Sequence, residues 1–290
     1  MADSIFLTAG TATAEIAIAG AEPVAWSAAG MDLMWLPDPA LWHQVNPILF
    51  PIVGRAHHGL LHVDNTAYPM PIHGFANGKS FRPLEVTADT ARLVLADDSE
   101  TYENFPFAFE LEVFYRLTVD SLDTHFTVRN PDAEKPLPYA LGTHPGFRWP
   151  FAGDSRQGFR IMFDKAEKGD VPAVTPDGLF SRTMRRAVPF EGTELAVSDA
   201  LFAHEALCFF NAESQSFRFV GPDGTSIAIE VENFPHLAIW SLPGAPFVCL
   251  EAWTGHGDPE GFDGDIFEKP SMLVLAPGEE ARHRVRMVVG

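Results

Sequence analysis

Glu251 is a carboxylate in an apolar setting. It lies inside the run Phe247 to Gly255, and strand alternation puts it on one face with Phe247, Cys249 and Trp253. A carboxylate on such a face must be paired, hydrogen-bonded or put to use, because removing water from its charge is costly. Desolvation also lifts its pKa toward the range of a general base. The bland alternative is a buried ion pair with Arg55 or a histidine.

Three further residues break their surroundings in the same way. His144 lies between Gly142 and Pro145-Gly146, with Phe147, Trp149 and Phe151 close behind. Aromatic faces beside a polar catalyst suit a pyranose, whose axial C–H groups make an apolar side; a buried aromatic turn is the structural alternative. His73 follows Pro71-Ile72 and precedes Gly74, which permits close backbone approach. A lone histidine of this kind is more often a core residue than a catalyst. Arg55 is the only charge in residues 46–55 and ends an otherwise apolar run at Gly54. Its planar fork of donors could meet sugar hydroxyls or one of the many acidic side chains.

Other constellations carry less. His58 and His62 have the spacing of a helical metal pair, but Gly59 stands between them in a turn-like stretch, so no metal site is expected. The acidic stretch Asp258 to Asp265 lacks the twelve-residue calcium-loop pattern. No phosphate loop, dinucleotide fingerprint or serine-hydrolase elbow is present.

Short strands must hold these groups. From Phe107 to Val119 the odd positions are apolar, and after Asp120-Ser121 the alternation resumes through Leu122, Thr124, Phe126 and Val128. That is a hairpin. The pattern recurs around Gly221 to Gly224. It recurs again around Pro277-Gly278, between Met272–Leu275 and His283–Val289. Helical signals are few, and the best runs from Ser198 to Cys208, with Ser198 or Asp199 as its cap. The 23 Gly and 24 Pro are spread throughout, as many strands joined by turns require. With no repeat or linker, residues 1–290 read as one all-β domain of two large antiparallel sheets with few short helices.

Composition narrows the ligand. A formal charge of −19 repels nucleic acid, anionic lipid and, more weakly, phosphorylated substrates. No apolar run approaches the ~20 residues of a spanning helix, so no membrane partner is expected. The first basic residue is Arg55, which argues against an export signal, and a cytoplasmic location is expected. Cys208 and Cys249 sit in apolar stretches and read as buried thiols in a reducing compartment, although a bridge is open in principle.

Six segments in register resemble the aldose 1-epimerase (galactose mutarotase-like) family, and its LacX-type branch in particular. They are NPILFPIVGR (46–55), PIHGFA (71–76), ENFPFAFEL (103–111), GTHPGF (142–147), AIWSLPGAPFVCLEAWTG (238–255) and LAPGEE (275–280). The resemblance implies a β-supersandwich and an enzyme that interconverts the α and β anomers of a free aldose without a cofactor. It implies His144 as general acid on the ring oxygen and Glu251 as general base on the anomeric hydroxyl. It implies His73 as a group that positions or polarises the sugar, and Arg55 as a hydroxyl contact. Phe147 and Trp253 are expected as apolar substrate walls. Glu251 is expected ionised and His144 protonated. The family's hydroxyl-gripping aspartate has no clear counterpart; Asp164 and Glu232 are the possibilities. The alternatives are a hexose-6-phosphate mutarotase, using Lys165, Lys168, Arg182, Arg185 and Arg186, and a non-catalytic sugar sensor on the same fold. The expected partner is a small-molecule aldose, and the protein is expected as a monomer or homodimer.

Overall fold

The computed structural model describes residues 3–290. Two antiparallel sheets dominate it. The larger has nine strands. It runs from Glu194–Ala196 through Arg160–Phe163, Ser216–Val220, Ser226–Glu232, Glu280–Val289, Ser121–Arg129, Glu110–Leu117 and Thr90–Ala96 to Arg82–Val86. The smaller runs Leu207–Phe209, His236–Trp240, Phe247–Trp253, Gly142–Thr143, Ile48–Leu49, and Gly146–Arg148 also pairs with Phe247–Trp253. A four-stranded sheet over residues 4–32 adjoins them, and the Tyr115 hydroxyl donates to the Ala21 carbonyl across that junction at 2.6 Å.

Alternation decides which side chains meet between the sheets. Leu111, Val113, Tyr115 and Leu117 point inward from one arm of the first hairpin, and Leu122, Phe126 and Val128 from the other. Phe163 of the large sheet packs on Phe209 of the small one, ring centroids 5.1 Å apart. Each such fully buried side chain contributes about 1.5–3 kcal/mol. The opposite face of the small sheet carries a second, smaller cluster that includes Leu49, Phe180, Cys208, Ala238 and Trp253. The all-β sandwich with short helices therefore stands as the alternation implies.

Two local expectations are corrected. Leu273–Leu275 does not form a hairpin with the strand after Pro277-Gly278; it pairs with Leu137–Tyr139, and Glu280–Val289 lies centrally in the nine-stranded sheet. The Asn130 side chain donates to the Leu275 and Ala276 carbonyls and diverts the chain between them. The helix over Ser198 to Cys208 shrinks to one 3₁₀ turn, Asp199–Phe202, and Cys208 lies in a strand. The Asp199 carboxylate accepts from Arg156 and from the Gly244 amide instead of capping a helix. A four-residue helix, Ser99–Tyr102, capped by Asp98, was too short to show a period. Cys208 and Cys249 are both buried and unbridged.

One glycine is irreplaceable on steric grounds. Gly74 has φ +76°, and a Cβ there would stand 2.2 Å from the Phe50 carbonyl oxygen. The Phe50 amide in turn donates to the His73 carbonyl, so this close crossing sets the place of His73. Gly74→Ala is expected to destabilise the fold by on the order of 2–4 kcal/mol. A thermal melt checks it: an unchanged midpoint would show that the crossing can relax.

Candidate active site

The site grows from one buried strand. Every residue of Phe247–Trp253 is buried, and Glu251, only 1% exposed, points to the outer face of the small sheet. The neighbouring segment runs antiparallel, with Thr143 opposite Ala252 and Gly146 opposite Cys249. The register is the same on both sides of Pro145, so His144 faces Glu251 directly. Pro145 has no N–H to give the ladder, but its carbonyl accepts from the Leu250 amide at 3.2 Å and keeps the strands in step. Cross-strand partners share a face. His144 Nε2 therefore lies 3.3 Å from Glu251 Oε2.

Trp253, two residues on, sits on the same face and donates from Nε1 to Glu251 Oε2 at 3.1 Å. Among the described residues, the side-chain contacts of Glu251 are both made through Oε2. His73 approaches from the loop, its ring 5.6 Å from that of His144 and edge-on to it. The Gly54 amide donates to His73 Nδ1 at 3.1 Å, which leaves Nε2 to carry the proton of the neutral ring. Among the described residues His144 Nδ1 is buried without a partner, so no bond at Nδ1 prevents Nε2 from serving as donor or acceptor.

These groups open onto a cleft of about 410 Å³, within the usual range for small-molecule sites. Trp42 and Trp240 stand over His144 at ring distances of 4.9 and 5.6 Å. Arg55 lines the cleft from an exposed position and makes no ion pair among the described residues. Asp177 and Glu205 bring two carboxylates to the lining.

Burial governs the charges. It pushes Glu251 well above the usual carboxylate range, against the opposing pull of the Trp253 hydrogen bond. It pushes His144 well below the usual histidine range, with the nearby His73 adding to the effect. Burial first, and Arg55 second, lower His73 to about 4. His73 is therefore a neutral donor at pH 7. Both shifts run toward the neutral form of the His144–Glu251 pair, opposite in direction to the charges expected from the sequence, because burial penalises each charge.

Among the sequence-derived site residues, Glu251, His144, His73, Arg55 and Trp253 come together here. Phe147 does not. It is one residue off the His144 parity, fully buried on the core side, and forms no wall of the cleft. Asp164 and Glu232 are also elsewhere: Asp164 accepts from the Gln215 amide and Glu232 pairs with Arg284. The aromatic walls the sequence did not single out are Trp42 and Trp240. Trp42-His43-Gln44 lay outside any alternation, a signal that could have marked the segment. Asp177 and Glu205 had no signal, being 2 of 39 acidic residues.

The aldose 1-epimerase family model matches residues 3–288. The chain belongs to the aldose 1-epimerase family. It is 29% identical to the LacX proteins of Lactococcus lactis subsp. lactis, plasmid and chromosomal, over 258 residues and 86% of each chain. A galactose mutarotase-like protein from Lactobacillus casei ATCC 334 superposes at TM-score 0.91 with 26% identity, over 99% of this chain and 100% of the other. A galactose mutarotase related enzyme from Lactobacillus acidophilus does so at 0.90 and 26%, over 99% and 97%. This epimerase-family chain thus has the galactose mutarotase-like supersandwich throughout its described length.

Trp253→Phe keeps the ring and deletes the donor to Glu251. The carboxyl of the variant is expected to titrate about one pH unit higher, the worth of one charge-assisted hydrogen bond. Carbon-13 NMR of glutamate-labelled protein reads this directly. A Glu251 titration that stayed in place or moved to lower pH would contradict the assigned bond.

Proposed function

We propose that this chain is a mutarotase for a neutral aldose, with Glu251 and His144 exchanging protons with O1 and O5. The observation that carries the reading is the 3.3 Å contact between His144 Nε2 and Glu251 Oε2 at the floor of the cleft. O1 and O5 are bonded to the same carbon, so an acid and a base side by side can reach both at once.

Ring opening needs one proton removed from O1 and one delivered to O5. A pair that holds one proton can do both with no net change. On binding, the proton passes from the Glu251 carboxyl to the His144 imidazole. Glu251 then takes the O1 proton as His144 gives its proton to O5. The C1–O5 bond breaks and C1=O1 forms. After rotation about C1–C2, the same transfers in reverse close the ring on the other face. The charged form of the pair accompanies only the closed ring, and the open-chain state returns it to the neutral form that burial favours. His73, as a neutral Nε2–H donor, and Arg55 hold the ring hydroxyls. Trp42 and Trp240 offer faces to its C–H side.

Neutral sugars fit this lining better than phosphorylated ones. Lys165, Lys168, Arg182, Arg185 and Arg186 do not line the cleft. Arg185 pairs with Asp170, and Arg186 donates to the carbonyls of Leu201, His204 and Glu205. Asp177 and Glu205 would repel a phosphate, and both are placed to accept from hydroxyls.

Glu251→Gln and His144→Asn are each expected to slow anomer exchange by about 10²- to 10⁴-fold. Two-dimensional exchange NMR over glucose, galactose and glucose 6-phosphate tests the residue roles and the sugar class together. Near-full exchange in Glu251→Gln would remove the acid–base reading, and sugar binding without exchange by the unmodified protein would leave a sensor.

The pH profile has a stated sign. At low pH the pair takes a second proton, on His144, and has no base. At high pH it loses its last proton, from Glu251, and has no acid. Because burial lowers the first titration and raises the second, kcat/KM is expected to be bell-shaped. Its acid limb should fall below the ordinary histidine range and its alkaline limb above the ordinary carboxylate range. A profile flat across both regions would speak against one shared proton.

A further inference from the structure

Outside the cleft, the turn that follows Arg55 gathers metal-ligating side chains. Neighbouring residues in extended chain point opposite ways, but His58 adopts φ +55°, a left-handed conformation rare for a residue with a Cβ. The turn brings the His57 and His58 rings to within 3.8 Å of each other, centroid to centroid. A third group arrives from a distant loop, with Asp263 Oδ1 lying 2.7 Å from His57 Nδ1. One ligating atom from each of the three lies within 4.8 Å of the others.

The surrounding backbone is fixed. The His57 amide donates to Asp258 Oδ2 at 2.8 Å, and Asp258 is itself buried in an ion pair with Lys269. The outer ends of the cluster can move: His58 and Asp263 are exposed, and only His57 is half-buried. Their exposure leaves both side chains room to turn toward a shared ion, whose bonds to such ligands are about 2.0–2.2 Å.

We propose that His57, His58 and Asp263 bind one divalent transition-metal ion. Two imidazoles and one carboxylate select zinc, nickel or copper over magnesium or calcium, which prefer all-oxygen sets. Water completes the coordination. The spacing in the sequence points instead to His58 with His62, a pair that Gly59 disrupts; the fold replaces His62 with His57 and with an aspartate about two hundred residues away. None of the three residues lines the cleft, so the ion has no part in proton transfer there. It clasps the turn that presents Arg55 to the loop that follows Asp258.

Isothermal titration of untagged, chelator-treated full-length protein with zinc chloride at pH 7.5 tests the site. One equivalent is expected to bind, at least about tenfold more weakly in His58→Ala and in Asp263→Asn. The melting midpoint should rise with zinc in the unmodified protein and not in the variants. Electron paramagnetic resonance with one equivalent of copper(II) reads the ligands without any substitution, and coupling to two imidazole nitrogens is expected. Absence of stoichiometric zinc binding, binding unchanged in both variants, or a copper spectrum without imidazole nitrogen would each overturn the assignment.

Discussion

An imidazole and a carboxyl in contact at 3.3 Å, both nearly withdrawn from water, set the terms for the rest of this molecule. Each would shed its charge if left alone in that setting. Together they can share a single proton. Such a pair needs fixed spacing, and here the backbone supplies it. His144 and Glu251 face each other across one antiparallel ladder, so their separation follows from strand pairing and not from flexible side chains. The strand that carries Glu251 has partners on both sides, with Ala238 of His236–Trp240 opposite Glu251 on the other flank. A position in mid-sheet leaves it little freedom to move.

The outer wall is made of loops, and each loop is tied by buried polar bonds. Glu22 accepts the Val45 and Asn46 amides, both at 2.7 Å, and so anchors the segment that carries Trp42. Gly54 passes so close to Gly257 that a Cβ would stand 2.6 Å from the Gly257 Cα. Asp258 joins these segments: it pairs with Lys269, accepts from the His57 amide, and its carbonyl accepts from the Phe180 amide. Buried ion pairs add little net stability once desolvation is counted. Their effect here is positional. They allow one arrangement of the turns that bring Arg55, His73 and Phe180 to the cleft.

Charge acts at two scales. The chain carries −19 overall, which disfavours anionic ligands at long range. Within the cleft, Arg55 is outnumbered by Asp177 and Glu205, so the lining offers both donors and acceptors but no field that favours phosphate. The same acidic envelope would draw cations toward the histidines beside Asp263.

Strand alternation alone determined the all-β architecture, the first two hairpins and the burial of Glu251, because side chains in a strand alternate faces whatever their distant partners are. Glu251, His144, His73 and Arg55 were legible because each is a polar residue set in an apolar or glycine-rich segment. The tertiary structure decided everything that depends on which segments become neighbours. It sent Phe147 to the core, since a one-residue change of parity reverses the face. It brought in Trp240 from the end of the strand His236–Trp240, and Trp42, Asp177 and Glu205, whose local sequences resemble ordinary turns. It routed Leu273–Leu275 to a different partner through the side chain of Asn130. Above all, it set how strongly burial shifts the central pair toward its neutral form, because desolvation is a property of the surrounding packed atoms and cannot be read from a residue and its chain neighbours.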